Sequence, residues 1–92
     1  MIYLTPRAEK DLEALSRGQR ARILSKLKAL DFSPGAPHVK KLTALKGKGI
    51  DIYRARVGVY RVLYTLDEEK VVIFRIVHRR DLDRVIKGLS HS

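Results

Sequence analysis

The chain has no cysteine, no tryptophan and a single methionine in 92 residues. Without cysteine it can form neither a disulfide nor a thiolate zinc site. Its three histidines, His38, His78 and His91, fall at no metal-ligand spacing, so neither a metal nor another cofactor is expected. No apolar run is long enough to span a bilayer. The N-terminal MIYLTPRAEKDLEAL lacks the basic-then-apolar order of a signal peptide, which makes the cytoplasm the default compartment. No segment joins a basic face to a Trp/Phe-rich one, so no membrane partner is expected. Carboxylates are scarce as well: ten Asp and Glu face twenty Lys and Arg, leaving a net charge of +10 and a pI near 10.3. A balance this basic points to a polyanionic partner, either nucleic acid or an acidic protein.

Familiar catalytic patterns are missing too. No Ser-His-Asp arrangement suggests itself. The stretch Lys46-Gly47-Lys48-Gly49 does not have the Gly-x4-Gly-Lys-Ser/Thr order of a phosphate loop and reads as a flexible basic turn. Asp81 and Asp83 open the last predicted helix, where negative charge suits the helix dipole, so they read as structural.

The length argues for one domain, residues 1–92, burying only about 60–65% of its unfolded surface. Residues 2–5 read as a short strand. Thr5-Pro6 opens a helix, with Thr as N-cap and Pro in the first turn, and Ala8, Leu12 and Leu15 mark its apolar face. A second helix follows over 18–31 with Ile23, Leu27 and Leu30 as its stripe, forming a helical hairpin with the first. Residues 32–49 hold Pro34, Gly35, Pro37, Gly47 and Gly49 and read as a long loop with a short strand at 39–42. Strands are predicted over 50–57, 60–66 and 70–78, the third central, and a last helix over 81–89.

Within the first hairpin, Gly58 suits the leading position of a tight turn. Tyr53, Ala55, Val57, Tyr60, Val62 and Tyr64 then share the face that packs on the helices, and Ile52, Arg54, Arg56, Arg61 and Leu63 share the other. Arg56 stands opposite Arg61, an unfavourable pairing of like charges worth roughly 0.2–1 kcal/mol. Arg75 or His78 can join this face, but hardly both, and Arg79-Arg80 follow directly. Such a cluster reads either as a solvated face whose charges splay apart or as a phosphate cradle, since guanidinium forks match phosphate oxygens and stay charged at any working pH.

The run YRARVGVYRVLYTLDEEKVVIFRIVHRRD, preceded by Lys41-Leu42 and a Lys/Gly-rich loop, resembles the RelE/ParE superfamily of toxins from toxin–antitoxin pairs. The resemblance covers residues 41–83. It implies an α+β microdomain of order βααβββ with a terminal helix, a helical hairpin packed on a mainly antiparallel sheet. It implies a cognate antitoxin as partner. For RelE-like members it also implies cleavage of mRNA in the ribosomal A site, by attack of the 2′-hydroxyl on its own phosphate to give a 2′,3′-cyclic phosphate, without metal. By position in the motif, Arg54, Arg56, Arg61 and Arg80 fall on the family's basic site residues. With His78 as acid or base, the expected catalytic set is Arg54, Arg61, Arg80 and His78; Arg56, Lys41, Lys46, Lys48 and Arg79 would hold RNA. The family's tyrosine after the last arginine meets Asp83 here, or Ile86 in a shifted reading. ParE-like members share the fold and inhibit DNA gyrase without cutting RNA. That alternative, and a plain RNA-binding module, stand beside the ribonuclease reading.

Overall fold

The computed structural model describes residues 1–42 and 51–90. The elements run β1 (Ile2–Leu4), α1 (Pro6–Glu13), α2 (Arg17–Ala29), β2 (Val39–Lys41), β3 (Tyr53–Val57), β4 (Tyr60–Asp67), β5 (Lys70–His78), a 3-10 turn (Arg79–Asp81) and α3 (Leu82–Ser90). They build an α+β fold around one five-stranded sheet of order β1-β5-β4-β3-β2, parallel only between β1 and β5. The short strand expected at 39–42 is therefore a full member of the sheet, which has one strand more than the βααβββ order implies.

Local chemistry sets the helical hairpin. The Thr5 hydroxyl accepts from Ala8 N at 3.2 Å and Pro6 occupies the first turn of α1. Ser16 caps α2 through a reciprocal box with Gln19. The Arg20 guanidinium reaches back to the carbonyls of Leu12 and Glu13 at the end of α1 and of Leu15 in the turn that follows. This side chain, together with the capping box, fixes the two-helix turn.

The helices bury one face of the sheet. Ala8, Leu12, Ile23 and Leu27 pack with Phe32, Ala55, Val57, Val62, Tyr64, Ile73 and Ile76. Tyr64 is fully buried, meets Phe32 edge-on at 5.0 Å, stacks on Tyr53 at 5.6 Å, and donates its hydroxyl to Phe32 O at 2.8 Å. Burial chiefly, then the nearby Tyr53 and Asp31, pushes its phenol up to about 12. On the other face α3 lays Val85 over Leu63 and Val77, flanked by Leu42, Phe74, Leu82 and Leu89.

β5 is an interior strand, as its two-sided apolar character implies. Its register with β4 shifts between Leu63 and Tyr64: Leu63 faces Arg75 while Tyr64 faces Ile73. The extra residue, Phe74, is a β-bulge. β1 pairs only with Val71–Ile73, which leaves the next stretch of β5 without a strand partner on the edge away from β4. Asp11 of α1 covers this gap: its carboxylate accepts from Ile76 N at 2.9 Å and from Arg75 Nε at 2.9 Å. The hairpin into β5 turns at Glu68-Glu69, with Glu68 at φ 57°.

Removing either of two polar anchors tests this packing. Asp11→Ala leaves a strand N–H and a partly buried guanidinium without their partner, and should cost about 2–3 kcal/mol in urea denaturation. A loss under about 0.5 kcal/mol would show that water replaces the carboxylate. Tyr64→Phe should cost about 1 kcal/mol at neutral pH. Because the folded phenol titrates above its ordinary value, the stability it supplies is complete below about pH 10 and is lost as pH rises towards about 12. The gap between wild type and Tyr64→Phe should therefore narrow over that range, and a constant gap would contradict it.

Candidate nucleic-acid interface

A two-residue turn sets the basic face. Gly58 adopts φ 60°, as the first central position of a II′-type hairpin requires, and Tyr60 pairs with Val57 beyond it. Arg56 is then directly opposite Arg61, and Arg54 opposite Leu63. Period-two alternation sends these side chains away from the helices, as expected from the sequence. Burial chiefly, then Arg56, holds the Arg54 guanidinium below its ordinary value. For Arg61 burial again comes first, followed by the charges of Arg54, Arg56 and Arg79. Four guanidinium groups thus share one electrostatic neighbourhood, and among the described residues none of the four enters an ion pair.

Arg61 is held in place. Its Nη1 donates to Gly58 O and Tyr60 O, both at 3.0 Å, which leaves the donors on Nε and Nη2 for another acceptor. Arg79 joins through the 3-10 turn, whose start is tied to the hairpin by Arg79 N to Val59 O at 2.7 Å. Arg80 is in the same turn and is exposed; its charge is not among those acting on Arg61.

The structure does not bring His78 to this face. It pairs with Tyr60 on the helix-facing side, meets the Tyr60 ring edge-on at 5.8 Å, and its Nδ1 accepts from Arg80 N at 3.2 Å. Arg75 does not join either: its guanidinium is engaged by Asp11. The either-or expectation for these two residues therefore has the answer neither, because the bulge and the β5 edge redirect Arg75. Lys41 stands opposite Tyr53, on the helix-facing parity, and its Nζ meets Asp51 at 3.3 Å. Its neighbour Lys40, exposed and directly opposite Arg54, is the lysine in register with the basic face. Lys40 escapes a reading of the sequence because the β2–β3 register is set across a long connection; alternation from a correctly paired β2 would have found it. Lys46, Lys48 and His91 lie outside the described residues. Among the described residues no group of His, Asp or Glu is placed to hold a metal, and no helix is long and apolar enough to cross a membrane.

The Arg56–Arg61 pairing is a cost in the free protein. Arg56→Thr should stabilise the anion-free chain by about 0.2–1 kcal/mol and should reduce the stabilisation gained on adding a short polyphosphate. Thermal melts with and without the anion read both effects. An unchanged midpoint without anion would mean that the two charges are already fully screened, and a lower one that Arg56 contributes more through its other contacts than the repulsion costs.

Comparison with known proteins agrees with this architecture. A family profile described as "ParE toxin of type II toxin-antitoxin system, parDE" matches residues 2–83. No curated protein sequence matches. Among solved structures, a chain of the RelBE2 toxin–antitoxin complex of Mycobacterium tuberculosis is 30% identical, with a TM-score of 0.64 over 86% of this chain and 96% of that one. A chain of the archaeal RelE–RelB complex of Pyrococcus horikoshii OT3 is 29% identical, with a TM-score of 0.62 over 85% and 92%. The RelB–RelE complex of Methanococcus jannaschii, at 23% identity and a TM-score of 0.61 over 90% and 96%, shares the fold. With the profile spanning nearly the whole chain and the same helical hairpin and sheet recurring in these complexes, this chain belongs to the ParE toxin family, within the RelE/ParE superfamily of toxins from type II toxin–antitoxin systems.

Proposed function

We propose that this toxin acts as a ribosome-dependent mRNA endoribonuclease, neutralised by a cognate antitoxin as the complexes of its structural relatives suggest. The observation that carries the reading is the alignment of Arg54, Arg56 and Arg61 on one sheet face, with Arg79 tied to their hairpin and no carboxylate paired to any of the four among the described residues. Such a face is unfavourable alone and is completed by a bound phosphodiester.

In this reading the 2′-hydroxyl of the RNA attacks its adjacent phosphate, the bond to the 5′-oxygen breaks, and the products are a 2′,3′-cyclic phosphate and a 5′-hydroxyl. Arg61, already held by the turn carbonyls, offers its remaining donors to the phosphate oxygens. Arg79 supports them from the 3-10 turn, and Arg54 and Arg56, with Lys40 alongside, position the flanking backbone. Preorganised donors of this kind are worth about 3–4 kcal/mol each in comparable sites. Arginine is a poor base, because its pKa lies above about 12. His78 points to the other side of the sheet; its role here is to hold, through Nδ1, the turn that carries Arg79 and Arg80. Proton transfer then falls to groups outside this face, and the ribosome orders the RNA.

The family profile favours a second reading, a ParE-type gyrase inhibitor that leaves RNA intact. A translating extract separates the two. Mapped mRNA 5′ ends should show cuts within translated frames that Arg61→Ala or Arg79→Ala reduces by about 10²-fold or more. His78→Asn, whose Oδ1 can replace Nδ1 as acceptor, should retain cutting better than His78→Ala. Intact mRNA alongside inhibited gyrase would replace the ribonuclease with the second reading.

A further inference from the structure

Cations also meet a concave surface away from the basic face. Across the hairpin tip, α2 and the β3–β4 turn enclose a groove of about 250 Å³. Arg22, Ile23 and Lys26 line it from α2, and Val57, Val59 and Tyr60 line it from the hairpin. Its floor is apolar and both of its charges are positive. Neither Arg22 nor Lys26 enters an ion pair among the described residues, although four other cations do. The Lys26 ammonium overhangs the turn: a Cβ at Gly58 would lie 4.0 Å from its Nζ. A second concavity, sharing Lys26, Val57 and Gly58, continues the groove to Arg56. Arg56 is also the residue directly opposite Arg61 in the sheet register. One arginine therefore joins the groove on the helix side to the basic face on the other side of the sheet.

We infer that this groove is a second subsite for a single RNA strand, in which Arg22 and Lys26 take phosphates flanking the nucleotide held at the Arg54–Arg61 face. The strand bends round the hairpin tip at Arg56. Two considerations favour RNA over other occupants. The charges have no acidic counterpart in the groove, and the groove continues directly into a cluster whose chemistry suits phosphate. The apolar floor gives a base a surface to lie on without reading its identity, so the subsite is expected to be indifferent to sequence. This inference extends the proposed function, but it does not depend on cleavage.

The test compares two lengths of oligouridine by fluorescence anisotropy: one of about twelve nucleotides, which can reach both sites, and a trinucleotide, which cannot. Arg22→Ala/Lys26→Ala should weaken the longer strand by about three- to tenfold and lower its salt slope by about 0.7 for each phosphate that is no longer neutralised. It should leave the trinucleotide unchanged, whereas Arg61→Ala should weaken both. Both groove side chains are exposed and alanine preserves the helix, so the fold is not at risk. As an independent variant, Val59→Glu places a carboxylate at the exposed rim and should have the same length-dependent effect. Unchanged affinity and slope for the longer strand would overturn the inference, as would an equal loss for both lengths, which is general electrostatics. Retained RNA binding with abolished antitoxin binding would also overturn it and assign the groove to an acidic peptide. Groove-dependent binding in a protein that never cuts mRNA would uphold this subsite while retiring the ribonuclease reading.

Discussion

The pairing of β3 with β4 through a two-residue turn is the constraint from which most of this molecule follows. A turn of that length admits one register, and Gly58 supplies the positive φ it needs. Because side chains alternate, that single register decides two things at once. It gives Ala55, Val57, Val62 and Tyr64 to the core under the helices, and it lines up Arg54, Arg56 and Arg61 on the opposite side. A slip by one residue would bury guanidinium groups and expose the core, so the apolar face enforces the arrangement that the charges by themselves oppose.

The rest of the sheet is assembled on that hairpin by a few directed polar contacts. Asp11 stands in for a missing strand partner at the edge of β5 and neutralises Arg75 in the same contact. Arg20 closes the end of α1, and the Tyr64 hydroxyl reaches the chain just past α2. Each contact ties a helix or loop to the sheet at one place. α3 completes the structure by covering the apolar part of the second face, over Leu63 and Val77, while the arginine-bearing end of that face belongs to the hairpin. The second face is thus divided between a buried apolar part and a cationic one.

Electrostatics explains why such a face persists in a thin-cored protein. The mutual repulsion costs little, because the guanidinium groups remain partly solvated and screened. Binding an anion reverses the sign of the local energy. Arg61 adds order to charge, since its hydrogen bonds to the turn carbonyls hold it before any ligand arrives. Preorganisation of this kind separates a site from a merely basic surface.

Much of this was legible in the chain alone. The helix starts, the two hairpins, the division of the first hairpin into a core face and an arginine face, and the family resemblance all rest on local signals: caps, turn residues and alternation over neighbouring positions. The sequence could not say which way His78 and Arg75 point, because a bulge at Phe74 changes the parity of β5. Nor could it choose Lys40 over Lys41, since β2 meets β3 across a long connection and its register depends on three-dimensional packing. The groove between α2 and the hairpin tip joins segments far apart in the chain and exists only once the helical hairpin has docked. Sequence by itself determined what each segment becomes, because backbone preferences and hydrophobic periodicity act over a few residues. Only the tertiary structure decided which charges meet, because that depends on registers and edges set between segments distant in the chain.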